Sequence, residues 1–308
     1  MGRFWVDGGV VVNGTTSSSV AIAMHNLALD YASADDLAAA VATDEQLVKM
    51  FITDRDAIVR EAVASALRNL GIHRFEAEDL QGAIDAEALL LSVFGNDASP
   101  EIRDAVAVGM HNLALHYFMA GELAAAIDIG ERLVATFRPG SDPVLRAAVA
   151  SGLRNLSVHC LAADDLLQAI RAGEDLVSTY TESTEPAPVR EAVAIGLSNL
   201  AVLYGRAGDT NAGIRAGEHL VTAFGDSADP AIQSVVETCL QNLATDYTDI
   251  GDPLAAQNAL GRRDSLLRQW SAARDNLPPL DGPSPPTRGL CSRHFGSIRR
   301  TRPRSRPT

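Results

Sequence analysis

The stretch GMHNLALHYFMAGELAAAI, residues 109–127, decides the fold of this chain. Its Asn-Leu pair occurs six times in the sequence, at successive spacings of 43, 43, 43, 44 and 43 residues. A valine stands six residues before each Asn, and a Met or Leu stands two residues before it. Self-similarity at a fixed period indicates a repeat protein. The six pairs are Asn26-Leu27, Asn69-Leu70, Asn112-Leu113, Asn155-Leu156, Asn199-Leu200 and Asn242-Leu243.

Each copy contains a first helix whose apolar residues share one face. Counted from the Asn, they stand at offsets −6, −2, +1 and +5, as in Val106, Met110, Leu113 and Tyr117. These offsets follow the i, i+4, i+7, i+11 spacing of an amphipathic helix. Offset +9 holds a glycine or an acidic residue, and glycine suits the left-handed residue that ends a helix. The residues at offset +9 are Asp35, Glu78, Gly121, Asp164, Gly208 and Gly251.

A second helix follows this turn. Glycine recurs inside it, and each such glycine costs roughly 1 kcal/mol relative to alanine, so we expect another helix to pack closely there. These glycines are Gly130, Gly173 and Gly217. The predicted apolar stripe of one copy is Leu123, Ile127, Gly130, Val134 and Phe137. A polar loop then ends in a cap residue and a first-turn proline, as in Ser99-Pro100, Asp142-Pro143 and Asp229-Pro230.

The predicted unit is therefore a helix of about 20 residues, a tight turn, a helix of about 15 residues and a short loop. Each hairpin exposes an apolar face that only its neighbour covers. The sequence predicts an all-α fold, a right-handed α-solenoid of about six antiparallel helix hairpins, over residues 15–276. Residues 1–14 match nothing in the repeat and are predicted to be unstructured or truncated. Residues 277–308, rich in Pro and Arg, are predicted to be a disordered tail.

Composition restricts the classes of function. The formal net charge is −13, and residues 282–308 hold seven arginines and no acid, so the rest, with 19 basic and 39 acidic residues, carries −20. Such a surface repels nucleic acid and anionic membranes. No apolar run approaches the roughly 20 residues of a transmembrane helix. The three cysteines form no CxxC pair. We therefore expect a cytoplasmic protein that binds neither membrane nor nucleic acid.

Two copies resemble the tetratricopeptide repeat: HNLALHYFMAGELAAAI, residues 111–127, and SNLAVLYGRAGDTNAGI, residues 198–214. They supply the Leu, the small residue after it, the Tyr, the turn glycine and the small residue of the second helix. They look most like the longer-period repeats of the kinesin light chain type and of bacterial regulators with similar arrays, although Met or Leu replaces the signature Trp. The resemblance covers residues 15 to about 275. HEAT or armadillo repeats, with periods of roughly 40 to 47 residues, are the alternative fold.

The recurring Asn is the candidate ligand-binding residue. It lies more than about 90 degrees around the first helix from the apolar stripe, so it faces a second surface. In tetratricopeptide arrays the matching Asn lines the concave groove and hydrogen-bonds the backbone of a bound peptide. The resemblance implies this role for Asn69, Asn112, Asn155 and Asn199. The alternative is an asparagine ladder that links neighbouring repeats.

One residue earlier, the series contains Arg68, His111 and Arg154, a modestly basic strip in an acidic protein. An arginine binds a carboxylate through two parallel hydrogen bonds. The strip therefore predicts a protein or peptide ligand that is acidic or ends in a free carboxylate. The alternative is a row of arginines that water alone solvates.

His73, His116 and His159 share offset +4 in three successive copies. Equivalent residues of stacked hairpins lie roughly 10 Å apart, whereas metal ligands lie about 2.1 Å from a shared ion. We therefore predict no metal site here. Two interpretations remain: a row of imidazoles that titrates near neutral pH, or packing between repeats.

The sequence contains no HExxH, GxSxG, GxGxxG or GxxxxGK[ST] motif. We therefore predict that the protein is not an enzyme and needs no cofactor. The first functional hypothesis is a scaffold for protein–protein interaction that binds a peptide or partner protein in the concave groove. The alternative is the sensing arm of a larger signalling or transcription regulator whose effector domain lies outside this chain.

Overall fold

A computed structural model describes residues 4–6, 9–11, 16–138, 142–180 and 185–275. Along these residues, two short strands precede twelve helices. In chain order the elements are β1 Phe4–Val6, β2 Gly9–Val11, α1 Ser17–Ser33, α2 Leu37–Phe51, α3 Ala57–Glu76, α4 Leu80–Phe94, α5 Pro100–Met119, α6 Leu123–Phe137, α7 Pro143–Ala162, α8 Leu166–Thr179, α9 Ala187–Arg206, α10 Thr210–Phe224, α11 Pro230–Asp249 and α12 Pro253–Asp275.

The helices confirm the predicted repeat unit. From α3 to α11, every odd-numbered helix has 20 residues. The even-numbered helices before α12 have 14 or 15 residues, and α12 has 23. The fold is an all-α array of helical hairpins, with one hairpin for each copy of the Asn-Leu pair.

The turn inside each hairpin contains the left-handed residue that the sequence predicts. In one of these turns the backbone N–H of Glu122 donates to the carbonyl of Tyr117 at 2.8 Å, which satisfies a carbonyl at the end of α5. Left-handed backbone costs a residue with a Cβ roughly 1 kcal/mol or more, so three hairpins tolerate a strain that glycine removes in the other three. The φ values are 82° at Gly121, 83° at Gly208, 79° at Gly251, 63° at Asp35, 64° at Glu78 and 61° at Asp164.

The predicted cap residues precede three of the first helices. Helices α5, α7 and α11 begin at proline. The carboxylate of Asp142 accepts a hydrogen bond from the N–H of Val144 at 2.7 Å, and that of Asp229 accepts one from the N–H of Ala231 at 2.9 Å. Ser99 differs, because its side chain makes no cap hydrogen bond. Two of the three predicted caps therefore act through the side chain.

The chain divides into two compact units, Met1–Val149 and Ala150–Thr308, and the division falls inside α7. Within the first unit each hairpin packs on the next: α2 lies against α3, α4 against α5, and the first helices α1, α3 and α5 lie side by side. The second unit repeats this arrangement, with α8 against α9, α10 against α11, and α9 beside α11. Helix α9, which has α8 on one side and α11 on the other within the second unit, is therefore buried along most of its length.

The buried face of the second helix differs from the predicted stripe. In α6 the buried residues are Ala126, Ile129, Gly130, Leu133 and Phe137, whereas Leu123, Ile127 and Val134 are only partly buried. The prediction was wrong by about one position on the helix, because apolar residues stand close together in α6 and the pattern alone does not decide between Ile127 and Ile129 or between Leu133 and Val134. Tyr117 is also half-buried, although the sequence places it on the apolar stripe of α5.

Two of the three predicted mid-helix glycines, Gly173 and Gly217, allow close approach, as predicted. A Cβ on Gly173 would lie 2.8 Å from Cδ2 of Leu200, and one on Gly217 would lie 2.9 Å from Cδ2 of Leu243. Both leucines belong to the Asn-Leu pair of the following hairpin. The recurring leucine therefore fills the space that the recurring glycine leaves.

Both ends of the chain differ from the repeat. Within residues 1–14, which the sequence predicts to be unstructured or truncated, β1 and β2 form an antiparallel pair that joins Phe4 to Val11 and Val6 to Gly9. Strand β2 lies against α1. The predicted tail, residues 277–308, lies outside the described residues.

Candidate functional site

The four predicted ligand-binding asparagines are buried. Asn69, Asn112, Asn155 and Asn199 are between 0% and 5% exposed. A buried side chain does not reach a ligand on the surface of this conformation. The structure therefore does not bring these asparagines to an open groove, and the groove role stays a prediction without geometric support.

The neighbouring hairpins cause this burial. In α1, which has no helical hairpin before it among the described residues, the equivalent Asn26 is exposed. In α11, Asn242 is half-buried. The Asn thus lies where two successive first helices meet, so it disappears from the surface wherever the array continues on both sides. The sequence shows its helical offset but not that a second helix covers it.

The basic strip is also engaged within the protein. Arg68 donates from Nε and Nη2 to Oδ1 of Asn69 at 3.2 and 3.0 Å, and Arg154 binds Asn155 in the same way at 3.2 and 3.1 Å. Arg68 is half-buried, and His111 and Arg154 are buried. In both copies the arginine thus donates two hydrogen bonds to the side-chain oxygen of the asparagine that follows it. Asn69 and Asn155 therefore have a hydrogen-bond partner within the protein.

Acidic residues of the following hairpin face both arginines. Burial lowers the pKa of Arg68, and the charges of Asp104 and Asp44 oppose this effect. Burial likewise lowers the pKa of Arg154, and Glu191 opposes it. Asp104 and Glu191 stand at the same offset, −8, in their copies. The prediction of the basic strip from the sequence did not include these acids. Their negative charges partly offset the positive charge of Arg68 and Arg154.

Solvent-accessible residues on this side of the first helices lie in α1, α3 and α11, and those of α11 are the polar residues Thr238, Gln241 and Thr245. They occupy offsets −4, −1 and +3 from the Asn, one helical stripe in each helix. Ile22 and Leu29 are 44% and 39% exposed, and the α3 residues are half-buried. His25 and Arg68 are close enough for the arginine to lower the pKa of the histidine, although burial is the larger cause. This α1–α3 face consists of Ile22, His25, Leu29, Ser65, Arg68 and Ile72.

Two of the three aligned histidines form buried pairs with carboxylates. Nδ1 of His73 lies 3.0 Å from Oδ2 of Asp44, and Nδ1 of His116 lies 2.9 Å from Oε2 of Glu87. Each acid belongs to the second helix of the preceding hairpin and stands 29 residues before its histidine. For these two histidines, packing between repeats is the correct interpretation. The sequence signal for these pairs was an acidic residue 29 positions before each of the two aligned histidines.

The environment of these pairs favours the protonated acid. Burial raises the pKa of Glu87 to about 7, against smaller lowering effects from His116 and Asn112. Burial also raises the pKa of Asp44. The hydrogen bond and the charge of His73 partly offset this increase. The second oxygen of each carboxylate has no hydrogen-bond partner among the described residues. The ring of Phe75 stacks on that of His116 with centroids 4.6 Å apart, so the second pair is enclosed by apolar surface as well.

A second set of links between repeats was missed from the sequence. The residue at offset +5 of a first helix donates to a glutamate of the preceding second helix. The sequence signal was an Arg or Tyr at +5 with a Glu 29 or 30 residues earlier. The links are Arg74 to Glu45 at 2.5 Å, Tyr204 to Glu174 at 2.5 Å and Tyr247 to Glu218 at 3.1 Å.

The described residues contain no group of three or more His, Cys, Asp or Glu side chains placed to hold a metal ion. None of the described helices is both long and apolar enough to cross a bilayer.

No protein-family model matches the sequence, and no curated protein matches it. Solved structures do match. BtubC (BKLC) from P. vanneervenii is 17% identical with a TM-score of 0.58, over 85% of this chain and 96% of that chain. A tetratricopeptide repeat protein from Parabacteroides merdae is 15% identical with a TM-score of 0.51, over 84% and 87%. An engineered protein is 23% identical with a TM-score of 0.52, over 76% and 94%.

These likenesses show the fold. The chain is a helical repeat array of the tetratricopeptide type, and the predicted resemblance is confirmed at this level.

Proposed function

We propose that this protein is a non-catalytic interaction module that binds a peptide or a partner protein through the α1–α3 face. The supporting observation is the exposure of Ile22 and Leu29 on the same helical stripe as His25. Large aliphatic side chains exposed beside polar ones are typical of binding surfaces. This places the proposed ligand contacts beside the predicted asparagines rather than on them.

The chemistry of the face suits an apolar segment that carries a carboxylate. Arg68 is the cation of the face, and its free donors suit an acidic side chain or a chain terminus. His25 supplies a neutral imidazole above pH 7, because burial lowers its pKa. Asp44 and Asp104 reduce the positive potential around Arg68. We therefore expect modest affinity for the carboxylate, with Ile22 and Leu29 contributing most of the binding free energy.

Selection from a display library of 12-residue peptides with free C-termini tests this proposal. The full chain should enrich peptides with an apolar residue near a carboxylate, and the double variant Ile22→Arg with Leu29→Arg should lose at least tenfold in affinity for them. Leu254→Arg is the matched control, because Leu254 is a 68% exposed aliphatic residue on α12. Enriched peptides that bind the double variant as tightly as the natural chain would show that the ligand lies elsewhere.

A further inference from the structure

The contact between the second and third hairpins contains a polar pair and an apolar pair. The side chains of Glu87 on α4 and His116 on α5 are both 0% exposed, and Oε2 of the acid lies 2.9 Å from Nδ1 of the histidine. A Cβ on Gly109 of α5 would lie 2.6 Å from Cδ2 of Leu90, so the two helices also approach closely there. These four residues form the α4–α5 joint.

The first helix of the same hairpin leaves room for the acid. A Cβ on Gly71 of α3 would lie 2.7 Å from Oε1 of Glu87, so a larger residue at this position would collide with the carboxyl group. The first hairpin has the shorter acid Asp44 and, at the position equivalent to Gly71, the larger residue Ala28. The backbone of α3 is therefore shaped around the longer side chain of Glu87.

The surroundings of Glu87 contain few groups that could balance a charge. Helix α5 faces it with His116 and Asn112, which act on its pKa. Helix α3 faces the pair with Gly71 and with the ring of Phe75, which stacks on His116. Oε1 of Glu87 and Nε2 of His116 have no hydrogen-bond partner among the described residues. An ionised Glu87 beside a neutral imidazole would therefore be a buried charge without compensation, which is unfavourable.

The equivalent pair of the first two hairpins has more cationic neighbours. Asp44 is bonded to His73 of α3, and the charges of His25 on α1 and Arg68 on α3 also lower its pKa against the effect of burial. Arg68 stays charged at every physiological pH. An ionised Asp44 is thus partly compensated, whereas an ionised Glu87 is not.

The contact between α8 and α9 has no titratable pair at these positions. Gly173 and Leu203 replace the acid and the histidine, and Leu200 packs over Gly173. The nearby link is the hydroxyl of Tyr204, which donates to Glu174 at 2.5 Å, and the pKa of this tyrosine is raised to about 12 by burial and by Glu174. Proton loss near neutral pH therefore does not charge the interior of this contact.

We infer that the α4–α5 joint is a proton-operated switch, which is closed while the carboxyl group of Glu87 is protonated and donates to His116, and which opens locally when that proton leaves. Burial raises the pKa of Glu87 to about 7 from 4.5, so the change falls near neutral pH. The closed joint holds the proton more tightly than the open joint does, so opening increases as the pH rises. The switch does not depend on ligand binding at the α1–α3 face.

Hydrogen exchange of the full natural chain at pH 5 and pH 8, corrected for intrinsic exchange, tests whether the opening is local. Two pKa values of 4.5 and about 7 correspond to a roughly 70-fold rise in the opening constant of the α4 and α5 amides between these pH values. The α8 and α9 amides of the same molecule serve as the internal reference, and their opening constants should change less than about threefold.

Two variants assign the rise to the pair. Glu87→Gln keeps the shape of the protonated acid, and Glu87→Gly with His116→Leu gives the joint the residue types that α8 and α9 have. Both should lose most of the rise, whereas Glu131→Gln, at an exposed position of α6, should keep it. Glu87→Gln decides alone if the double variant does not fold.

Infrared difference spectra between the natural chain and Glu87→Gln measure the proton directly. At pH 5 the natural chain should show the carbonyl stretch of a protonated carboxyl group that the variant lacks, and this band should weaken by pH 8. Absence of the band at pH 5 would overturn the inference, because Glu87 would then be ionised in the closed joint. A parallel rise in the α8 and α9 amides, or an unchanged rise in Glu87→Gln, would overturn it as well.

Discussion

Replacing Glu87 with glutamine is expected to stabilise the protein above pH 7 and to change little near pH 5. Burial raises the pKa of Glu87 to about 7 from 4.5. A raised pKa in the folded state means that this group stabilises the fold fully below pH 4.5 and that this contribution is lost as the pH rises through about 7. Glutamine resembles the protonated acid in shape and stays neutral, so Glu87→Gln removes the loss.

The expected magnitude follows from the two pKa values. Their difference, at about 1.4 kcal/mol per pH unit, corresponds to at most about 3.5 kcal/mol of unfolding free energy, most of it lost between pH 5 and 8. Asp44 adds to this trend, because its pKa is also raised by burial. His25 opposes it, because its lowered pKa makes the folded state gain stability as the pH rises through its ordinary value of 6.5. Both effects cancel when Glu87→Gln is compared with the natural chain at each pH.

Hydrogen exchange of the α4 and α5 amides at pH 5 and pH 8 measures the effect, because repeat arrays need not unfold in a single step. After correction for intrinsic exchange, the opening free energy of Glu87→Gln should exceed that of the natural chain by about 2 to 3 kcal/mol at pH 8 and by less than about 1 kcal/mol at pH 5. Glu131→Gln, at an exposed position of α6, should change neither value. If Glu87→Gln were less stable at both pH values, the carboxylate would be ionised and paired with His116, and the reasoning would be refuted.

Five further substitutions, which make three separate tests, probe the packing and turns of the array by thermal or urea denaturation. Gly217→Leu should cost about 1 to 3 kcal/mol, because its side chain would overlap the leucine of the next hairpin, whereas Gly261→Ala has open space and should be neutral or stabilising. Asp164→Gly should stabilise by up to about 1 kcal/mol by relieving its positive φ, and a loss would show that Asp164 makes compensating contacts. Leu133→Ala should cost about 2 to 5 kcal/mol and Ile127→Ala clearly less, and equal losses would restore the original stripe of α6.

Much of the fold was predictable because the repeat reports the same local chemistry six times. Helix lengths, the left-handed turn residue at Gly121 and the close approach at Gly173 all follow from backbone geometry and residue size, which are local properties. The stripe of α6 was less accurate. Apolar residues stand close together in α6, so the pattern alone did not decide which of Leu133 and Val134 faces the core.

The candidate site was predictable only in part. The sequence showed that Asn112 and its equivalents lie off the apolar stripe, but an amphipathic pattern does not report whether a second helix covers the opposite side. The exposure of Ile22 and Leu29 reflects that no helical hairpin precedes α1 among the described residues, although their residue types match core positions. The sequence aligned His116 with His73, but only the structure identified Glu87 as the partner of His116.

The sequence by itself thus determined the period, the hairpin, the turn and the acidic charge of this protein, because each depends on residues close together in the chain. The tertiary structure decided which polar residues are buried, which carboxylate meets which imidazole, and which helix faces remain open. Those properties depend on residues about 30 positions apart that meet when hairpins stack. Burial of the recurring asparagine, which the helical pattern alone did not show, is one such property.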